Sequence, residues 1–217
     1  MKLFRNRSEA GRLLAAHLSE FANHSDVLVL ALPKGGVPVA AEVASELAVR
    51  LDVLMVRKIG VPWNPECALG AIANGGMMVL DTATMQELGL TREGIDLVVQ
   101  AERRELARRE RLFRGNSPFP GLEGKVVILV DDGLATGATM RSAVEAVRTR
   151  GPALIVVAVP ITSRSAYLTL DRIVDRIVCL ATPEPFYAVG EWYDDFGQTT
   201  DEEVLSLLSH NEQPLLH

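Results

Sequence analysis

The chain has 217 residues, of which 48% are hydrophobic, and a formal net charge of −6. This length and apolar content predict one α/β domain with a small appendage, or two small domains. The acidic balance argues against a nucleic-acid partner. Cys67 and Cys179 provide neither a disulfide framework nor a zinc-ligand spacing, which fits a reducing cytoplasm. The first residues lack a continuous apolar run and no segment is long enough to span a membrane, so we expect no signal peptide and no membrane partner.

Apolar strands and amphipathic helices alternate along the chain. The pattern predicts strands at 27–32, 51–56, 69–73, 77–80, 126–130, 153–161 and 177–180. It predicts helices at 38–49, 91–114 and 140–150, with a first helix capped by Ser8 and a short one capped by Ser163. This alternation favours a mostly parallel sheet with helices on its faces. The loops that follow the strands would then lie on one edge, where ligands bind in such sheets.

The first of these loops carries a lysine. Pro33, Lys34, Gly35 and Gly36 separate the strand at 27–32 from the next helix. Taken alone, this is an ordinary turn with a solvated Lys34. Beside a second loop shaped for phosphate further along the chain, we interpret it as an anion site.

Two basic features follow in the middle of the chain. Arg57 and Lys58 end the strand at 51–56 and precede a polar stretch, 59–66, that is rich in turn formers. A solvated surface turn and a basic lid explain them equally well. Arginines also crowd the second half of the helix at 91–114. A basic helix can indicate a nucleic-acid or acidic partner, but we favour a solvated face or a dimer contact, because interspersed glutamates dilute the positive charge.

Two adjacent carboxylates mark the end of the strand at 126–130. After Asp131 and Asp132 comes a loop of small residues that runs into a helix, whose first N–H groups lack intrahelical partners and suit a phosphate. The two acids would repel that phosphate, so they need a ligand with hydroxyls or a cation. A sugar phosphate satisfies both demands. The candidate phosphate contacts are Ala135, Thr136, Gly137, Ala138 and Thr139.

The stretch VVILVDDGLATGAT resembles, without a gap, the ribose-phosphate signature of the type I phosphoribosyltransferases. The resemblance implies their fold, a mostly parallel twisted sheet flanked by helices, with residues 1–182 as the core and 183–217 forming most of a small hood. It implies phosphoribosyl pyrophosphate and a nitrogenous acceptor as substrates, with a purine nucleobase favoured. It also implies Mg²⁺ as cofactor and a homodimer.

The same resemblance assigns roles to individual residues. The implied catalytic residues are Asp131, Asp132, Lys34, Arg57 and Lys58. The implied substrate contacts are Gly35, Gly36, Ala135, Thr136, Gly137, Ala138, Thr139, Phe186 and Trp192. In the family the pyrophosphate loop contains a non-proline cis peptide, which by resemblance is the Pro33–Lys34 bond here.

The segment 183–200 concentrates aromatic residues. Flat rings such as Phe186 and Trp192 could stack on a planar base, although packing on the core explains any single ring as well. The run around Phe186 and the later Asp194 resembles the base-binding end of hypoxanthine-guanine phosphoribosyltransferases, which implies Asp194 as a magnesium contact. Asp131 of the acid pair is the other expected magnesium contact.

Two departures leave the acceptor open. Hypoxanthine-guanine phosphoribosyltransferases carry an aspartate where this chain has Ala135. They also bind the 6-oxo group with a lysine, whereas this sequence has no lysine after Lys125.

An alternative to a transferase is a non-catalytic protein that keeps the same pocket as a sensor of phosphoribosyl pyrophosphate. A receiver domain and a P-loop kinase are rejected because their lysines are missing at the required positions.

Overall fold

A computed structural model describes residues 2–211, apart from the side chains of Pro65 and Glu66. Its strands are β1 (Val27–Ala31), β2 (Arg50–Val53), β3 (Val56–Val61), β4 (Asn64–Ala73), β5 (Met77–Leu80), β6 (Val126–Val130), β7 (Leu154–Ile161) and β8 (Arg176–Ala181). Five of them form a parallel sheet in the order β2-β1-β6-β7-β8. The α/β class and the mostly parallel sheet are therefore confirmed.

Seven α-helices lie along the described part of the chain. They are α1 (Arg7–Ala16), α2 (Gly36–Leu47), α3 (Thr82–Glu87), α4 (Arg92–Arg114), α5 (Ala138–Arg148), α6 (Arg164–Leu170) and α7 (Asp201–Asn211). None of the helices within residues 2–211 is both long and apolar enough to cross a membrane.

The central strands are apolar on both faces because helices cover both faces. In β1, Val29 and Ala31 belong to one core cluster, which α1, α2, α4 and α7 help to build. The alternate residues Leu28 and Leu30 belong to the other, which includes residues of α5 and α6. A strand alternates its side chains between two faces, so an unbroken apolar run is what a central strand requires.

The predicted strand at 51–56 is wrong, because the chain leaves the parallel sheet within it. Strand β2 ends at Val53, and β3 begins a separate antiparallel sheet, β3-β4-β5. The buried side chain of Asn74 stabilises the break: its Nδ2 donates to the Val53 carbonyl and its Oδ1 accepts from the Met55 N–H, both at 3.1 Å.

The second sheet also corrects two expectations about the basic pair. Arg57 and Lys58 lie inside β3, opposite Ile72 and Ala71, and do not end a strand. The stretch 59–66 is not the polar loop that its composition predicts, because it supplies the ends of both strands of the β3-β4 hairpin.

The helix ends test the predicted caps. Thr91 and Ser163 cap α4 and α6 as expected. Asn6, and not Ser8, caps α1, because its Oδ1 accepts from the Glu9 N–H at 2.9 Å.

Helices α3 and α7 lie where the sequence pattern predicted none. The division into a core at 1–182 and a hood at 183–217 stays a prediction, and residues 212–217 lie outside the described part.

A buried ion pair fixes the end of α4 against the parallel sheet. The side chain of Arg114 is 3% exposed, and its Nε and Nη2 donate to the two carboxylate oxygens of Asp52 at 2.8 and 3.1 Å. The remaining donors reach the carbonyls of Ser117 and Pro118 and the carboxylate of Glu110. Every polar contact that a buried guanidinium requires is thus supplied by protein groups.

Candidate active site

Asp131 and Asp132 follow β6 directly and lie at the carboxyl edge of the parallel sheet. The Asp132 N–H donates to Asp131 Oδ1 at 2.9 Å. The Tyr193 hydroxyl donates to the Asp132 carbonyl oxygen at 2.6 Å. These two hydrogen bonds therefore hold the backbone of Asp132 and the carboxylate of Asp131 in place.

Burial controls the charge of these two acids. It raises the pKa of Asp131 well above its ordinary value, and the adjacent charge of Asp132 raises it further. Burial also raises the pKa of Asp132, while the hydrogen bond and charge of Arg7 oppose that shift. Two acids in this environment favour a ligand that brings positive charge or hydroxyl donors.

Arg7 contacts the acid pair, although nothing in the sequence indicated this contact. It is the first residue of α1, and its Nε donates to Asp132 Oδ2 at 2.8 Å. Its Nη1 donates to the Gly197 carbonyl at 2.7 Å, and its guanidinium lies 3.8 Å from the centre of the Phe196 ring. A partner 125 positions away in sequence leaves no local pattern that could have predicted this contact.

The loop after β1 packs directly against the acid pair. The Pro33–Lys34 peptide is cis, as the resemblance implied. A Cβ on Gly35 would collide with the Asp132 carboxylate, and a Cβ on Gly36 would lie 2.7 Å from the Val130 carbonyl oxygen. Glycine is required at both positions because another backbone and a side chain approach so closely.

The loop after the acid pair ends at the N-terminus of α5. Gly137 adopts a left-handed conformation, φ 70°, and precedes the first helical residue, Ala138. Thr136 Oγ1 accepts from the Ala138 N–H at 3.4 Å, and Ser163 Oγ donates to the Ala135 carbonyl at 2.6 Å. Ala135, Thr136, Ala138 and Thr139 are exposed. The loop thus runs into a helix N-terminus and carries two hydroxyls, and binding of a phosphate there stays a prediction.

A cleft connects these loops with the long helix α4. Lys34 from the first loop and Thr139 from the second line it, together with Arg57. It is also lined by Arg108, Arg109, Leu112, Phe113 and Asp201. Lys58 lies along a neighbouring groove that also contains Arg57 and Glu102. Arg108 and Arg109 belong to the arginine-rich half of α4 that the sequence analysis assigned to a solvated face or a dimer contact, and their place in the cleft was not predicted.

Each of four basic residues that line the cleft has an acidic partner. Lys34 Nζ lies 3.0 Å from Asp201 Oδ1, and Arg57 Nε lies 2.6 Å from Glu102 Oε2. Arg108 and Arg109 both bind Glu105. These side chains are partly exposed, so an anionic ligand can compete for them at little cost.

The aromatic segment packs largely on itself. Phe186 and Trp192 are half-buried and nearly parallel, with ring centres 6.3 Å apart and a 28° angle between their planes. Tyr193 is completely buried between Phe4 and Phe196. Trp192 Nε1 is buried without a hydrogen-bond partner among the described residues. Stacking of Phe186 or Trp192 on a base stays a prediction.

The acid pair fits a magnesium ion that a phosphorylated substrate helps to bind. Within residues 2–211, no group of three His, Cys, Asp or Glu side chains is arranged to hold a metal by itself. Mg²⁺ typically binds through one or two carboxylates plus substrate phosphates and water, which Asp131 and Asp132 can accommodate. Asp194 is exposed, and its N–H donates to the Phe4 carbonyl at 2.9 Å. Its metal role stays a prediction.

A parallel sheet that places an acid pair between a glycine loop and a small-residue loop at a helix N-terminus is typical of type I phosphoribosyltransferase domains. The family model described as phosphoribosyl transferase domain matches residues 4–194, and the chain belongs to that family.

Similar proteins carry names that correspond to this family. "Putative phosphoribosyl transferase MT0597" and "Putative phosphoribosyl transferase Rv0571c", from two Mycobacterium tuberculosis strains, are each 46% identical over 209 residues, which is 96% of this chain and 47% of theirs. The chain spans about half the length of these curated relatives. The crystal structure of TT1426 from Thermus thermophilus is similar, with a TM-score of 0.84, 41% identity and coverage of 97% of this chain and 99% of that one.

Proposed function

We propose that this protein transfers the 5-phosphoribosyl group of phosphoribosyl pyrophosphate to a nitrogenous acceptor and releases pyrophosphate. The C1–O bond breaks and its electron pair leaves with the pyrophosphate. The acceptor nitrogen forms the new bond to C1 with its lone pair and then loses its proton. The transition state therefore carries positive charge on the ribose and additional negative charge on the leaving group.

The observation that carries this proposal is the contact between the acid pair and the glycine loop. Asp131 and Asp132 would accept hydrogen bonds from the two ribose hydroxyls and favour the positive charge that develops at C1. Because the backbone at Gly35 and Gly36 packs against them, a ligand on the acids would lie beside the loop that carries Lys34. This is the position that a pyrophosphate attached to C1 would require.

The remaining predicted residues would hold the charged ends of the substrate. The 5-phosphate would bind at Ala135, Thr136, Gly137, Ala138 and Thr139. Lys34, Arg57 and Lys58 would neutralise the leaving pyrophosphate. Mg²⁺ would be held by Asp131, with Asp194 as a proposed second contact, and when bound it supplies positive charge to the phosphate oxygens.

For the acceptor we propose a nucleobase, with a purine favoured by the aromatic segment. Phe186 and Trp192 would contact its plane. Ala135 provides no carboxylate for a ring nitrogen, so the backbone would have to supply that polar contact. The homodimer and the cytoplasmic location also remain proposals.

A panel of nucleobases tests the function, with pyrophosphate release as the readout in the presence of Mg²⁺. Release with at least one base, and its loss when Asp131→Asn and Asp132→Asn are combined, would support the transferase. The double variant should keep its fold but lose about 2 kcal/mol of unfolding free energy, because Asp132→Asn takes away the charged partner of the largely buried Arg7. Circular dichroism is therefore recorded together with the release assay. If the substrate binds and no base causes release, the sensor alternative is correct.

A further inference from the structure

The carboxylate of Asp201 occupies a position between basic groups from two parts of the fold. It is the first residue of α7, and its Oδ1 lies 3.0 Å from Lys34 Nζ on the glycine loop. It lines the same cleft as Arg108 of α4. The pKa of Arg108 is raised mainly by its hydrogen bonds to Glu105 and additionally by the charge of Asp201, so the two groups also interact electrostatically.

The arginines of α4 are arranged to receive an anion. Arg108 and Arg109 both bind Glu105, which lies one turn earlier on the same helix, at 2.9 and 2.8 Å. Their side chains are 65% and 47% exposed. In the part of the chain that the structure describes, Glu105 binds Nε and Nη2 of Arg108 and Nε of Arg109, so Nη1 of Arg108 and both Nη groups of Arg109 keep donors for a ligand. Guanidinium groups bind phosphate oxygens in pairs of parallel hydrogen bonds, which makes two adjacent arginines suited to a diphosphate.

The cleft is continuous with the proposed substrate site. Lys34 belongs to the proposed pyrophosphate loop and Thr139 to the proposed 5-phosphate loop, and both line the cleft that Arg108 and Arg109 face. A pyrophosphate bound at Lys34 would have to share that lysine with Asp201, or displace its carboxylate.

We propose that Arg108 and Arg109 form a further part of the pyrophosphate subsite, and that Asp201 is an internal anion which competes with the ligand for Lys34. This inference rests on the proposed function, since it extends the same site. It assigns opposite effects to two neighbouring groups: the arginines strengthen binding of the diphosphate, and the aspartate weakens it.

Calorimetric titration of the full chain with Mg²⁺-pyrophosphate and with Mg²⁺-phosphoribosyl pyrophosphate tests this assignment. Because charged hydrogen bonds to phosphate are stronger than neutral ones, Arg108→Gln combined with Arg109→Gln should raise both Kd values about tenfold or more. Asp201→Asn should lower both Kd values about threefold, since it removes a like charge that is partly exposed to water. Circular dichroism confirms that each variant is folded.

Arg103→Gln is the matched control. It removes one positive charge from the same helix, whereas the double variant removes two, and Arg103 contacts Met78 Sδ at 3.8 Å on the side of the second sheet. Its Kd values should equal those of the unmodified chain. If the double arginine variant binds like the control, or if Asp201→Asn weakens binding, the inference is overturned while the proposed function stands. If the unmodified chain binds neither ligand, both proposals are wrong.

Discussion

Arg7 and Asp132 are joined by a hydrogen-bonded ion pair of 2.8 Å, with side chains that are only 13% and 14% exposed. Because Arg7 also holds the Gly197 carbonyl and packs on Phe196, one guanidinium connects the start of α1, the acid pair and the C-terminal segment. The buried acid pair is thus balanced by a cation from a distant part of the chain.

Replacing Arg7 with glutamine should therefore destabilise the fold. Loss of a charged hydrogen bond in a largely buried position should lower the free energy of unfolding by about 2 kcal/mol, measured by urea denaturation. Arg5→Gln is the control, because Arg5 binds Glu9 with a side chain that is 74% exposed. Equal losses in the two variants would contradict the role of Arg7.

Gly35→Ala should impair both stability and ligand binding. The new methyl group would collide with the Asp132 carboxylate, so either the loop or the acid must move. Overpacking of this kind costs about 1–3 kcal/mol, and we expect the Kd for Mg²⁺-phosphoribosyl pyrophosphate to rise at least about tenfold. Gly121→Ala introduces the same methyl group where no atom lies within 4 Å, and its Kd should be unchanged. Tight binding by the Gly35 variant would be evidence against a site on the acid pair.

Arg114→Met should be among the most destabilising single changes in the described part of the chain. It leaves the 10% exposed carboxylate of Asp52 without its principal partner, which typically costs about 3 kcal/mol or more. Arg50 also approaches Asp52, at 3.8 Å, but its side chain is 61% exposed. Arg50→Met should change the free energy of unfolding by about 1 kcal/mol at most. Urea denaturation of the two variants measures the difference.

Glu105 should stay ionised at unusually low pH. Hydrogen bonds from Arg108 and Arg109 lower its pKa to about 2. A lowered carboxyl pKa stabilises the folded chain above the ordinary value of 4.5, and this contribution is lost as the pH falls toward 2. The carboxyl carbon shift of Glu105, followed by NMR from about pH 6 downward, should show no transition near the ordinary value. In Arg108→Gln the transition should move up toward that value; an ordinary midpoint in the unmodified chain would contradict the pairing.

The parts of the site that the sequence revealed are those encoded by neighbouring residues. The β6 strand, Asp131, Asp132 and the loop up to Thr139 form one continuous pattern, and each step of it has a local physical reason. The helix cap at Thr91 could also be predicted from the sequence, because it needs only the Thr91 hydroxyl and the N–H group three residues later.

The features that the sequence did not reveal depend on contacts between distant residues. The break between β2 and β3 depends on the side chain of Asn74, about twenty positions later, and nothing in the apolar run at 51–56 indicates it. Helix α7 buries only Val204 and Leu208, so its apolar pattern is too short to recognise. Asn6 and Ser8 are both good capping residues, and only the bond to Glu9 distinguishes them.

The bridge between Phe4 and Tyr193 links the N-terminal residues to the acid pair, so shortening the N-terminus should affect the site. These two residues form a parallel bridge, and the Tyr193 hydroxyl holds the Asp132 carbonyl. Removing the first four residues would therefore take away a neighbour of the Tyr193 ring, whose hydroxyl binds the backbone of the acid pair. We expect chains that begin after Phe4 to lose substrate affinity before they lose their helical spectrum, even though no residue proposed to touch the substrate has been deleted.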